Sequence, residues 1–415
     1  MSHSRGKAQM ATIESPTEPP HRRSPIPARV KWFIVLLAPS AVAFGFFLVW
    51  VSAYLPEIGF SSGTVGLLLG VDGAALILGS IPLSILADRK GKKRVLLASL
   101  LAFPPVMVVF ALSTDVSVLI LGSILAGLVD GAFQSTWNAL IADQTDAGNR
   151  DSAFAFSFVV SSLSLGGGSA LPFLFPPLEA ALGVDSRTVH LATFLVLALA
   201  SVVSPIAIYL LMRGYREEPS TEKRFFRGRN LRLLSRFSVY NGLIGLGAGF
   251  IIPLIPTWLF LKFAAPDSFS GPLLGISSLT IGFAAIGSSR LAKRWGSVRA
   301  IATTQALSTI FMLGLVLTRS AVSAGALYIV RASLMNMSAP LMDSYLMGIV
   351  EPDQRSFASA VNSLVWRVPN SVSTVVGGLL MASGNFDLPI FVATAFYIVA
   401  ISLFYAMFRS VRTTT

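Results

Sequence analysis

Residues 32–54 form an apolar run with no charged side chain, long enough to cross a hydrocarbon core of roughly 30 Å at 1.5 Å per residue. Comparable stretches recur with short polar breaks at 63–87, 94–113, 116–142, 152–176, 189–212, 237–261, 271–292, 298–318, 322–348, 356–382 and 386–408. A chain patterned this way must place its apolar surface in lipid. Composition agrees: 53% of the 415 residues are hydrophobic and 13% charged, where a soluble chain carries about 25% charged residues. Internal Gly and Pro residues such as Pro39, Gly45, Pro82, Pro253 and Pro369 are tolerated in membrane helices and would break soluble ones. The spacing predicts an all-α membrane protein with twelve transmembrane helices.

Orientation follows from lysine and arginine. With the amino terminus inside, Arg187, Lys262 and Arg319 fall in external loops, Arg331 and Arg367 fall within spans, and the remainder of the 32 basic residues are cytoplasmic. Both termini are then cytoplasmic and the predicted location is the cell membrane. The net charge of +12 is read as a topology and lipid-headgroup signal, not as a nucleic-acid surface. Residues 1–31, rich in Pro, Ser and basic side chains, read as a disordered cytoplasmic tail. The apolar run that follows is too long for the core of a signal peptide. Residues 409–415 form a second short tail.

The longest charged loop, 213–236, divides the spans into six-helix bundles at 32–212 and 237–408. The bundles also match in sequence. One shift of 205 residues lays Gly91 on Gly296, Arg94 on Arg299, Arg150 on Arg355 and Ala153 on Ala358. Internal duplication of this kind is a transporter device, with the binding site between the halves.

Between spans 2 and 3 stands Gly79-Ser-Ile-Pro-Leu-Ser-Ile-Leu-Ala-Asp88-Arg89-Lys-Gly91-Lys-Lys-Arg94. This resembles the cytoplasmic loop signature of the major facilitator superfamily, and a degenerate copy, Ala292-Lys-Arg-Trp-Gly296-Ser-Val-Arg299, follows span 8. The resemblance implies two pseudo-symmetric six-helix bundles, alternating access and a monomer. It implies a gating loop in which Asp88 meets a cation or a helix amino terminus across the gap when the cavity faces outward. Gly91 permits the tight turn, and Arg89 and Arg94 belong to the cationic cluster around it. A second pair of motifs, Asp143-Gln-Thr-Asp146-Ala-Gly-Asn-Arg150 and Glu351-Pro-Asp353-Gln-Arg355, resembles the acidic–Arg turn of efflux-type members. Its implied role is to clamp helix turns through Asp146, Arg150, Glu351 and Arg355. Two departures stand beside these matches. Ser123 occupies the place of the span-4 arginine of efflux members, and span 5 reads Leu165-Gly-Gly-Gly-Ser-Ala-Leu-Pro172 instead of the antiporter signature.

Ionisable residues within spans are costly and normally turned inward. Asp130, Gln134 and Trp137 fall at i, i+4 and i+7 of span 4 and share a face expected to line a substrate cavity. Arg331 and Arg367, with Asn370 along the latter's face, are candidates either to bind an anionic substrate or to neutralise carboxylates. Trp50 and Tyr54 sit near the external end of span 1, lining the mouth or forming an interfacial aromatic belt. Asp130 and Asp72 are the proton-coupling candidates, because desolvation favours a protonated carboxyl while a nearby arginine opposes it. Asp343 is expected near the cytoplasmic end of span 10.

Other chemistries lack their signatures. Cysteine is absent and the three histidines, His3, His21 and His190, are scattered, which argues against a metal site. No phosphate-binding Gly-rich lysine motif occurs, so ATP-driven transport and a nucleotide cofactor are not expected. Gly59-Phe-Ser61-Ser-Gly63 matches a hydrolase elbow by letters only, in a turn with no strand before it, so no enzyme is expected. The reading is a secondary transporter of a small organic solute, by preference an exporter of hydrophobic or drug-like compounds, with protons as a candidate coupling partner. The alternatives are uptake of an organic anion or nutrient and, more remotely, a non-transporting receptor that uses residues 1–31 and 212–236 for partners.

Overall fold

The computed structural model describes residues 24–146, 148–217, 231–349 and 355–409, and every regular element among them is helical. The first six helical segments are α1 (Ala28–Glu57), α2 (Ser62–Lys90), α3 (Lys92–Leu112), α4 (Val116–Asp143), α5 (Arg150–Leu182) and α6 (Ser186–Leu211). The second six are α7 (Leu233–Phe263), α8 (Asp267–Trp295), α9 (Ser297–Val316), α10 (Ala321–Met337, resuming as Ala339–Ile349), α11 (Arg355–Ala382) and α12 (Leu388–Phe408). All but α8, α10 and α11 are individually long and apolar enough to cross a membrane. Those three are interrupted or more polar: α10 breaks at Ser338, just before Pro340, and α11 carries Asn362, Arg367 and Asn370. Large apolar side chains such as Leu78 and Leu199 lie 77% and 75% exposed on the outside of the bundle, where only lipid can cover them. The chain is a multi-pass membrane protein.

Helix ends follow local chemistry. Ser61, Asp115 and Ser320 accept hydrogen bonds from the backbone of Thr64 (3.1 Å), Ser117 (2.7 Å) and Ser323 (3.2 Å), capping α2, α4 and α10. Gly91 (φ 101°) turns the chain from α2 into α3, and Gly296 (φ 79°) does the same between α8 and α9. Only glycine adopts that backbone freely, so the duplication read in sequence reappears as duplicated turns. The first helix begins at Ala28 after Pro27, ahead of the expected edge at 32. α1 and α7 are both irregular in their far-end parts, with a π-helical turn at Trp50–Tyr54 and a 3-10 turn at Ile252–Leu254.

The halves meet along two seams, α2 against α11 and α5 against α8. Both rest on glycine. A β-carbon on Gly66 would come within 2.8 Å of the Thr374 carbonyl, and one on Gly275 within 2.7 Å of the Gly166 carbonyl. Membrane helices pack closely where small residues let backbones approach. These contacts lie in the parts of the helices remote from the Gly91 loop. The end that carries Gly91 is the basic end of the molecule, and the opposite one is its far end. At the far end Thr257 Oγ1 donates to the Ser52 carbonyl at 2.6 Å, joining α7 to α1. Pro56 has removed the N–H that an α-helix would offer that carbonyl.

Candidate functional site

A cavity in each half lies beside a polar bridge on the basic side of the far-end closure. The bridge begins on α4. Asp130 and Gln134 are one turn apart, and Gln134 Nε2 donates to Asp130 Oδ2 at 2.8 Å. From α11, Arg367 Nη2 donates to Gln134 Oε1 at 2.8 Å, and Arg367 Nε reaches Ser363 Oγ at 3.4 Å. The amide orientation follows from its partners, since a guanidinium can only donate and a carboxylate only accept. Gln134 therefore relays between a positive and a negative group on different halves. Asp72 on α2 lies within electrostatic range of both Asp130 and Arg367. Two carboxylates thus face one guanidinium.

The second-half cavity, of ≈ 540 Å³, is polar and lies among α7, α9, α10, α11 and α12. Arg331, 3% exposed, forms part of its wall. Its Nη2 donates to Tyr397 Oη at 2.8 Å, its guanidinium lies 5.5 Å from that ring's centre, and its Nε has no hydrogen-bond partner. Ser308 Oγ donates to the Arg331 carbonyl at 2.9 Å, tying α9 to α10. Gln305 is held from two sides, accepting from Tyr240 Oη at 2.8 Å and donating to Ser338 Oγ at 3.0 Å. Asp343 is exposed at the rim. Asn370 donates to the Gly245 carbonyl at 3.2 Å, so it fastens α11 to α7. The first-half cavity is smaller, ≈ 200 Å³, and walled by Leu37, Phe44, Phe103, Val129 and Phe133, with Asp130 at its edge.

Three candidates stand elsewhere than the periodicity suggested. Trp137 is buried in the first-half core, stacked between Phe33 (4.6 Å) and Phe133 (5.4 Å), with Nε1 donating to Ser157 Oγ at 3.1 Å. It does not share the cavity wall with Asp130. Trp50 and Tyr54, both 4% exposed, neither line an open mouth nor face lipid. The π-helical turn directs them inward, where Trp50 stacks on Phe194 at 4.2 Å and Tyr54 on His190 at 3.9 Å.

At the basic end, Glu217 of the linker accepts from the backbone N–H of Lys92 (2.5 Å) and Lys93 (2.7 Å), capping α3. Lys92 Nζ pairs with Asp143 at 2.7 Å. Asp88 and Arg89 are exposed, Arg94 likewise, and Gly79 packs under Leu128. Arg150 Nη2 donates to the Thr145 carbonyl at 3.2 Å, and Asp146 Oδ1 accepts from Gly148 N at 2.8 Å, closing the turn after α4. Glu351 lies outside the described residues, as does the side chain of Arg355.

The sequence reading passed over one cluster. His190 on α6, Asp267 at the start of α8 and Glu57 at the end of α1 meet at the far end. Nothing in local spacing links residues so far apart in the chain.

Comparisons with known proteins agree with this architecture. The family model described as Major Facilitator Superfamily matches residues 33–330. The Multidrug resistance protein MdtG of Rahnella sp. is 23% identical over 317 residues, covering 74% of each chain. The Inner membrane transport protein YajR of Escherichia coli is 35% identical over 98 residues, 24% of this chain and 21% of that protein. Among solved structures, a bacterial homolog of the human lysosomal transporter Spinster, in an inward-facing and occupied conformation, superposes with a TM-score of 0.74 at 14% identity. That match covers 92% of this chain and 96% of the other.

Proposed function

The chain belongs to the major facilitator superfamily, and from that premise we propose that it exports amphipathic, drug-like organic compounds by alternating access, with Asp130 and Asp72 carrying a coupling proton. Membership makes it a transporter embedded in a membrane; the cargo, direction and coupling are the proposal. On this reading the basic end is cytoplasmic, both termini lie inside, and the far end faces out of the cell membrane. The observation that carries the reading is the unequal pair of cavities. An aromatic chamber of ≈ 200 Å³ adjoins a polar one of ≈ 540 Å³ across the Asp130–Gln134–Arg367 bridge, a shape suited to molecules with one greasy and one polar part. The relative MdtG, named for multidrug resistance, adds support. Two carboxylates against one guanidinium leave one negative charge uncompensated, which is a place for a proton. In liposomes, an imposed pH gradient should drive flux of some member of a broad drug panel. No flux for any member would overturn the reading.

A specific observation favours a second reading, transport of an organic anion. Arg331 is buried, its Nε is unpartnered, and its hydrogen-bonded partner is the neutral Tyr397. Deleting the gene separates the readings. Increased toxin sensitivity supports export, and lost growth on a single anionic nutrient supports uptake.

A further inference from the structure

The far-end cluster is separate from the cavities and is assembled from both halves. His190, 2% exposed, and Asp267, 3% exposed, face each other across the closure, with His190 Nε2 and Asp267 Oδ2 2.7 Å apart. His190 Nδ1 lies 2.7 Å from the Ser186 carbonyl and 3.2 Å from Ser186 Oγ. Glu57 accepts from the backbone N–H of Asp267, so a carboxylate on α1 caps the first turn of α8. The Tyr54 ring stacks on the imidazole at 3.9 Å and Phe175 meets it edge-on at 4.5 Å.

Hydrogen-bond chemistry fixes how many protons this arrangement holds. A carbonyl oxygen only accepts, so Nδ1 must carry a hydrogen. An ionised carboxylate also only accepts, so the contact between Nε2 and Oδ2 requires a second hydrogen, on one atom or the other. The closed pair holds two protons, whereas a neutral imidazole and a carboxylate held apart hold one. The other charged or titratable groups around the cluster are Glu57 and Tyr54 from α1, Glu179 from α5, Asp185 before α6 and Arg187 on α6.

We propose that His190 and Asp267 form a proton-binding site that is complete only while the two halves are closed at the far end. When the halves part, Asp267 leaves with α8, Glu57 loses its backbone donor, and the extra proton passes to the water that enters the gap. Acid at the far side holds the closure shut and alkali releases it. With one proton linked to closure, the closed-to-open ratio falls by up to about tenfold per pH unit. This device goes beyond the transport reading: it sets how the outer pH biases the cycle, whatever the cargo.

The natural chain contains no cysteine, so cysteines introduced at Thr114 in the α3–α4 loop and Arg319 in the α9–α10 loop are unique labelling sites in opposite halves. Spin-label distances between them, taken without substrate from about pH 5.5 to 8.5, span the range in which imidazole ordinarily titrates. The short-distance population should shrink as pH rises. His190→Gln keeps a donor for Asp267 but cannot titrate, so its population should stay closed and flat with pH. Asp267→Asn should also be flat. A wild-type distribution that does not change with pH overturns the proposal, and so does a slope that persists in His190→Gln. The readout needs no flux, so failure of the export reading leaves it standing.

Discussion

The seams between the halves and the site they enclose treat the duplication differently. At the seams the shift of 205 residues relates close backbone approaches on the two sides. Gly66 approaches the Thr374 carbonyl and its counterpart Gly271 approaches Ser169; Gly70 approaches Ser371 and its counterpart Gly275 approaches Gly166. In the site the same shift lays Asp130 on Met335, Gln134 on Ala339, Arg367 on Ser162 and Arg331 on Ala126. Two halves that rock about a common axis need equivalent bearings on either side. A cargo with distinct ends needs unequal walls. On the proposed reading, the duplicated chain keeps its symmetry where motion requires it and loses it where the cargo does.

The sharpest challenge to this contrast lies in the site. Asp130→Asn should abolish flux driven by a pH gradient while leaving substrate exchange within about twofold, because only the titrating group is lost. Its counterpart change, Met335→Leu, should leave both intact. Full gradient-driven flux in Asp130→Asn would make that residue structural.

The seams come next. Gly66→Leu and Gly271→Leu each press a side chain onto backbone that cannot yield. Overpacking of this kind costs about 1–3 kcal/mol, which falls on the closed state and lowers the closed-to-open ratio roughly 5- to 150-fold. The two variants should resemble each other in distance measurements across the far end. If one closes normally and the other does not, the seams are not equivalent bearings.

Smaller effects are expected from Tyr397→Phe. It removes the hydroxyl bonded to Arg331 Nη2 at 2.8 Å but leaves the ring beneath the guanidinium. A hydrogen bond to a charged group contributes about 1.5–3 kcal/mol, and with the ring retained a change in KM of about tenfold is expected. Smallest is Lys92→Ala, which breaks the pair with Asp143 at the basic end. Partly exposed pairs contribute about 0–1 kcal/mol, so thermal unfolding should shift by a few degrees at most.

The architecture was legible in the chain because lipid leaves few choices. Apolar runs long enough to cross become helices, and the glycine turns at Gly91 and Gly296 announce the repeat. The site was only partly legible. Asp130, Gln134 and Arg367 could be named because charges within spans are costly, but their connection through one amide joins helices whose separation the sequence does not encode. Trp137 misled because residues seven apart share a face but stand about 10 Å apart along the helix, so Asp130 meets the cavity and Trp137 the core. Trp50 and Tyr54 misled because a π-helical turn adds a residue and rotates the side chains that follow. His190, Asp267 and Glu57 come from three helices in two halves, so no periodicity relates them.

The hydrogen bond from Thr257 to Ser52 joins residues separated by the repeat length itself, which puts it on the axis relating the halves. A bond lying on a twofold axis cannot obey that axis, because one side must give the hydrogen and the other receive it. Two identical subunits would present the same group twice at this point and would have to choose between equivalent arrangements. Fusion into one polypeptide removes the choice: Thr257 is always the donor and the Ser52 carbonyl always the acceptor. Covalent linkage of the repeats thus gives this far-end contact a fixed polarity that an assembly of separate halves could not have.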